Sequence, residues 1–110
     1  MSEPRVIKKY PNRRLYDTYE SRYITLSDIK KLVIEKTDFL VVDKKSNLDI
    51  TRSILLQVIS EQEHQGEPVM SQEFLANVIR TYGEPSHSLV GGYLDQSMRT
   101  FATEHLRPRD

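Results

Sequence analysis

The chain has 110 residues, enough for one compact domain, or one domain with a helical appendage. It contains no cysteine, which excludes disulfides, thiolate metal sites and cysteine nucleophiles, and with 37% hydrophobic residues and no Trp it has a lean core that oligomerisation would help to stabilise. A formal net charge of 0 conceals an asymmetry: residues 5–14 carry five bases (Arg5, Lys8, Lys9, Arg13, Arg14) and no acid, whereas residues 32–110 carry eight bases and twelve acids, a net of −4.

No apolar run reaches the length of a membrane span and no signal-peptide apolar region opens the chain, so a soluble intracellular protein is expected. The basic end suggests an anionic partner docking on one face. The alternative is a solvated, flexible basic arm, but Tyr and Asn are interleaved with the bases, where a disordered arm favours Ser, Gly and more Lys.

In chain order, Arg5–Tyr10 is rich in β-formers, Pro11-Asn12 signals a turn, and Arg14–Asp17 returns as a second strand, which predicts a hairpin with bases around its tip. Tyr23–Thr25 is a short extended piece. A helix follows, capped by Thr25 or Ser27, with Ile29, Leu32 and Val33 as its apolar stripe and its end near Lys36-Thr37. Phe39–Val42 reads as a buried strand, residues 44–47 as a turn, and Leu48–Ile50 as a further short strand. Thr51 is the expected cap of a second helix over Arg52–Gln65, with Ile54, Leu55, Val58 and Ile59 inward, ended by Gly66 and Pro68.

Beyond this point the character changes. Ser71 is placed to cap a helix striped by Phe74, Leu75, Val78, Ile79 and Tyr82, and Gly83 to stop it. After Pro85 a second stripe runs through Leu89, Val90, Tyr93, Leu94, Met98 and Phe101. Gly91-Gly92 interrupts it at a cost of about 1 kcal/mol each relative to Ala, which predicts a kink or a close helix contact. The last residues, 105–110, are expected to fray.

Little here points to catalysis. His64, His87 and His105 stand about twenty residues apart without a second ligand at metal spacing, Glu61 and Glu63 point to different sides of one helix, and no phosphate-cradling glycine loop or nucleophile elbow is present. No enzyme, metal or cofactor is expected. The concentrated signal is Lys8-Lys9-Tyr10-Pro11-Asn12-Arg13-Arg14-Leu15-Tyr16-Asp17-Thr18 with Arg22-Tyr23. Lys and Arg neutralise phosphates, Arg and Asn can read guanine and adenine edges, and a two-stranded ribbon is narrow enough for the major groove. Structural roles compete: Leu15 and Tyr16 as core residues, and Asp17 paired with an arginine.

The run from Ile7 to Thr18, followed by Ser21-Arg22-Tyr23-Ile24-Thr25-Leu26 and Asp49-Ile50-Thr51-Arg52, closely resembles the DNA-binding domain of the bacterial polyhydroxyalkanoate (PHB) synthesis repressors, the PHB accumulation regulator family, over roughly residues 5–64. Phe74-Leu75, Ile79-Arg80-Thr81-Tyr82-Gly83 and Gly92-Tyr93-Leu94-Asp95-Gln96-Ser97-Met98 resemble the regulatory segment that follows it. Many members carry a longer tail. The resemblance implies a cytoplasmic bacterial repressor of granule-protein (phasin) genes, acting at the nucleoid and the polyester granule surface, and released from DNA by binding polyhydroxybutyrate.

The expectation is therefore an α+β fold: a DNA-binding domain over residues 4–65, made of a small β-ribbon or sheet with two helices, and a helical regulatory or oligomerisation segment over residues 68–106. Double-stranded operator DNA is assigned to Lys8, Lys9, Tyr10, Asn12, Arg13, Arg14, Tyr16, Arg22 and Tyr23. Polymer binding or assembly into a dimer or tetramer is assigned to Phe74, Leu75, Val78, Ile79, Tyr82, Leu89, Val90, Tyr93, Leu94, Met98 and Phe101. The alternative is a granule-surface or adaptor protein whose basic patch binds an acidic protein. RNA binding, with tyrosines stacking bases, ranks third.

Overall fold

The computed structural model describes residues 3–106. In chain order they form β1 (Arg5–Lys9), β2 (Leu15–Asp17), β3 (Arg22–Ile24), α1 (Leu26–Ile34), β4 (Phe39–Asp43), α2 (Thr51–Gln65), α3 (Gln72–Thr81) and α4 (His87–His105), an α+β arrangement dividing into two compact units between Glu67 and Pro68.

The amino-terminal unit is a four-stranded sheet in the order β3-β2-β1-β4. β1 and β2 pair antiparallel with Lys8 opposite Tyr16, β2 and β3 pair antiparallel with Tyr16 opposite Tyr23, and β4 joins the other side of β1 in parallel with Val41 beside Ile7. Because side chains alternate across a strand, Ile7, Leu15, Ile24 and Val41 share one face. They form one buried core with Ile29 and Leu32 of α1 and Ile54 of α2. Leu15 is thus a core residue, whereas Tyr16 lies on the opposite face with Val6, Lys8, Tyr23, Leu40 and Val42.

Thr25 is the cap of α1. Its hydroxyl accepts from Asp28 N–H while Asp28 Oδ2 accepts from Thr25 N–H at 2.9 Å, a reciprocal capping box. The helix ends at Ile34 through a left-handed Lys36 (φ 59°): Lys36 N–H donates to Val33 O and Thr37 N–H to Leu32 O, closing its last carbonyls.

Several expectations are corrected. Leu48–Ile50 is not a strand and contributes one bridge, Val42 to Asp49, because the turn at 44–47 leaves it only the free edge of β4 to meet. Thr51 is the first residue of α2, with Ile50 at the cap position. Its hydroxyl instead accepts from Val41 N–H at 2.8 Å and donates to Asp49 Oδ1 at 2.6 Å, tying the helix start to the sheet edge. Ile59 of α2 and Val33 of α1 are each 46% exposed, since each helix presents only one narrow side to a sheet of short strands. Leu55 and Val58 are half-buried.

In the carboxy-terminal unit, Ser71 Oγ accepts from Phe74 N–H at 3.0 Å to cap α3, and Gly83 at φ 88° follows its end, as expected. α4 runs unbroken through Gly91-Gly92, where nothing lies within 4 Å of a Cβ built at either position. The expected close contact is not made among the described residues, and the helix is not broken, because a glycine pair lowers helix stability without ending the helix. Neither helix contains a buried residue. His105 is the last residue of α4, and residues 107–110 of the expected frayed end lie outside the described ones.

Candidate nucleic-acid interface

Local chemistry builds the β1–β2 tip. Pro11 presets its own φ for the first central position of a turn, and Arg13 N–H donates to Tyr10 O at 2.9 Å to close it. Arg13 then takes φ 68°, the left-handed conformation that follows a turn in three-residue hairpin loops, and Tyr10 N–H donates to Arg14 O at 2.9 Å to resume the ladder. Asn12 Oδ1 accepts from Arg14 N–H at 3.2 Å. That amide oxygen therefore holds the turn, leaving the Asn12 NH2 group for a partner. Asn12, Arg13 and Arg14 are all exposed.

The bases of this unit fall into two sets. Arg5 Nη2 lies 2.9 Å from Asp17 Oδ2 and 3.2 Å from Glu20 Oε2, and Arg22 Nε lies 2.8 Å from Glu20 Oε1, a chain of charges at the end of the hairpin remote from its tip. Asp17 is only 1% exposed. Burial pushes its carboxyl up, but hydrogen bonds from Arg5 and Tyr19 N–H, with the Arg5 charge, outweigh this and hold it below the usual carboxylate range. Glu20 likewise raises Arg22 above its ordinary value through their hydrogen bond. Arg22 is thus already engaged by acids, whereas Lys8, Lys9, Arg13 and Arg14 form no ion pair with any described acid.

Aromatic rings hold part of the second set. The Arg14 guanidinium stands 4.0 Å from the Tyr23 ring centroid, Tyr16 meets Tyr23 edge to face at 5.1 Å, and Tyr10 lies 6.4 Å from Tyr23. Beside the tip, a groove of about 870 Å³ is lined by Lys9, Arg13 and Arg14 together with Tyr23, Thr25, Leu26 and Gln57 and the core residues Leu15, Ile24 and Ile54. Gln57 was not among the expected site residues. Its signal in the sequence is its spacing, one turn beyond Ile54.

The second expected set lies on α3, α4 and the residue after α3. Phe74, Leu75, Ile79, Tyr82, Leu89, Tyr93, Leu94, Met98 and Phe101 are exposed, and Val78 and Val90 half-buried. On α4, Val90, Leu94 and Phe101 fall on one side at helical spacing, flanked by Tyr93 and Met98. The histidines serve local structure: His64 Nδ1 is 2.7 Å from Ser60 O, His87 Nδ1 is 3.0 Å from Thr81 Oγ1, and His105 stacks on Phe101. Among the described residues, no group of three His, Asp or Glu is placed to hold a metal ion, and no helix is long and apolar enough to cross a membrane.

Comparison with known proteins agrees with this division of the chain. A family model described as the PHB/PHA accumulation regulator DNA-binding domain matches residues 6–66, and one described as the PHB accumulation regulatory domain matches residues 70–105. Neither describes an enzyme. A Thiocystis violacea protein, described as an uncharacterized protein in the phbA 5′ region, is 52% identical over 104 residues, covering 94% of this chain and 75% of that one. An uncharacterized protein of Allochromatium vinosum is 49% identical over 104 residues, covering 94% of this chain and 68% of its own. No solved structure matches.

Proposed function

We propose that this chain, which belongs to the PHB accumulation regulator family and carries that family's DNA-binding domain, represses granule-protein (phasin) genes by gripping operator DNA with the β1–β2 tip. One observation carries this reading: four bases, Lys8, Lys9, Arg13 and Arg14, meet at one hairpin end without an ion-pair partner among the described acids. A two-stranded ribbon fits a major groove about 12 Å wide, where Arg13 and Arg14 reach base edges or phosphates and the Asn12 amide reaches a base acceptor. Lys8 and Lys9 supply charge toward the phosphates, and Tyr10, Tyr16 and Tyr23 support the loop. The Thiocystis violacea relative takes its description from the phbA 5′ region, which supports a link to PHB metabolism.

The carboxy-terminal unit supplies assembly and release. The exposed stripe on α4 pairs with a second copy of the chain, so that two tips reach two half-sites of one operator. Polyhydroxybutyrate competes for the protein through the apolar faces of α3 and α4. Linkage then makes each ligand lower the apparent affinity for the other, and polymer supply sets how much protein remains on DNA. The granule surface is the second place where the protein is expected.

The test is Arg13→Ala with Arg14→Ala in the full chain. Losing two phosphate contacts lowers the slope of log affinity against log salt by about 2. Binding falls while circular dichroism stays that of the folded chain. Loss of fold in this variant, or an unchanged slope, would contradict the assignment. Added polymer is expected to strip wild-type protein from DNA in proportion to its surface.

A further inference from the structure

The sheet face turned away from α1 and α2 has a different chemistry from the tip. Val6, Lys8, Tyr16, Tyr23, Leu40 and Val42 alternate with the core residues along their strands and so share this face. The strand acids Asp17 and Asp43 occupy the alternate positions, on the core side, so the face carries no strand carboxylate. Tyr10 and Arg14 extend it at the tip end, giving three rings and a guanidinium in contact, with Tyr23 and Arg14 at the sheet edge, where they also line the groove beside Gln57. Tyr23 is 47% exposed, and none of the three tyrosine hydroxyls has a hydrogen-bond partner among the described residues. An aromatic cluster belonging to a core would be covered and its hydroxyls satisfied.

We propose that this face binds a single strand of nucleic acid, its bases stacking on Tyr16, Tyr23 and the Arg14 plane and its phosphates meeting Lys8. Four strands about 4.8 Å apart span roughly 14 Å before side chains are added, too wide for a major groove of about 12 Å. A single strand meets no such limit and offers unstacked bases, which aromatic rings and guanidinium planes accept with little regard to sequence. The proposal shares Lys8, Arg14 and the supporting tyrosines with the operator reading, and the use of the Tyr16 and Tyr23 rings as stacking surfaces separates the two.

The experiment measures anisotropy of labelled oligo-dT and oligo-U of about ten nucleotides, and of a blunt promoter duplex, with the full chain. Tyr16→Ile with Tyr23→Ile places strand-favouring β-branched residues at both positions and removes the stacking surface. Tyr16→Phe with Tyr23→Phe keeps the rings. Single-strand affinity is expected to fall about tenfold or more in the Ile pair and to hold within about twofold in the Phe pair, while duplex affinity falls less than single-strand affinity in the Ile pair, since the duplex loses only the Tyr23 ring that positions Arg14. The dT and U arms tell DNA from RNA as the preferred strand, and either preference supports the proposal. Failure of the wild type to bind either oligonucleotide, or equal single-strand binding by the wild type and a folded Ile pair, would overturn it. A lower assembly mass of the Ile pair by light scattering would also overturn it, since a second copy would then cover the face. Failure of the wild type to bind the promoter duplex, with single-strand binding intact, would instead overturn the operator reading alone.

Discussion

Arg14 carries its guanidinium 4.0 Å from the centre of the Tyr23 ring, diagonally across the β2–β3 pair in which Tyr16 faces Tyr23. The ring holds the cation in place without neutralising it. Arg5, twelve residues before Asp17, has the opposite fate: its Nη2 is locked to that buried carboxylate at 2.9 Å. Two arginines of one hairpin are thus divided between architecture and recognition by what lies beside them.

The left-handed residues give a test of that division. Arg13 (φ 68°) and Lys36 (φ 59°) both occupy a conformation costing an L-residue roughly 1–2 kcal/mol, offset in part by the extra chain entropy of glycine. Arg13→Gly and Lys36→Gly are each expected to raise unfolding free energy by about 0.5–1 kcal/mol in urea denaturation. Only Arg13→Gly should weaken DNA binding. Equal DNA affinity in both variants would remove Arg13 from the interface.

Asp17 sets the acid limit of the amino-terminal unit. Because its carboxyl is held below its ordinary value in the folded chain, its contribution is complete above the unfolded value near 4 and is lost as pH falls through the lower folded value. Asp17→Ala should cost about 3 kcal/mol, the low end for breaking a buried pair, because Glu20 remains beside Arg5. The variant's stability should also depend less on pH below about 4. Urea titrations at several pH values check both.

Thr51 joins two elements through one hydroxyl. Thr51→Val keeps the shape but leaves the N–H of fully buried Val41 without its acceptor. A loss of about 2 kcal/mol is expected in thermal or urea unfolding, within the range for an unsatisfied buried donor.

The α4 stripe predicts assembly. Leu94 is 38% and Leu89 73% exposed, so helix packing inside the chain does not account for these apolar residues. Tyr93→Asp with Leu94→Asp should lower the mass by light scattering and reduce polymer adsorption. Unchanged mass and unchanged polymer pull-down would take both roles from the stripe.

Much of the fold was legible because local chemistry and burial agree. Pro11-Asn12 announces the hairpin turn, Thr25 with Asp28 the start of α1, Ser71 and Gly83 the bounds of α3, and Ile7, Leu15 and Val41 alternate as strand residues with one buried face. What failed depended on tertiary contact. Thr51 looks like a cap until β4 lies beside it, and Ile59 and Val33 look inward until the sheet proves too narrow for them. The division of the bases was likewise hidden, because only the fold brings Glu20 and Asp28 within reach of Arg22 and the Tyr23 ring beneath Arg14. Gln57 enters the groove only through the packing of α2 against the sheet.

The central claim, sequence-specific DNA binding, is tested most directly by fluorescence anisotropy of the full chain on a duplex from the promoter of a phasin gene, with a scrambled duplex as control, across a salt series. A preference for the promoter by a factor of about 10³ or more, with a steep salt slope, is the predicted result. Equal, weak and salt-labile binding to both duplexes would contradict it, leaving the hairpin bases as a patch for an acidic protein and the apolar helices as the functional face.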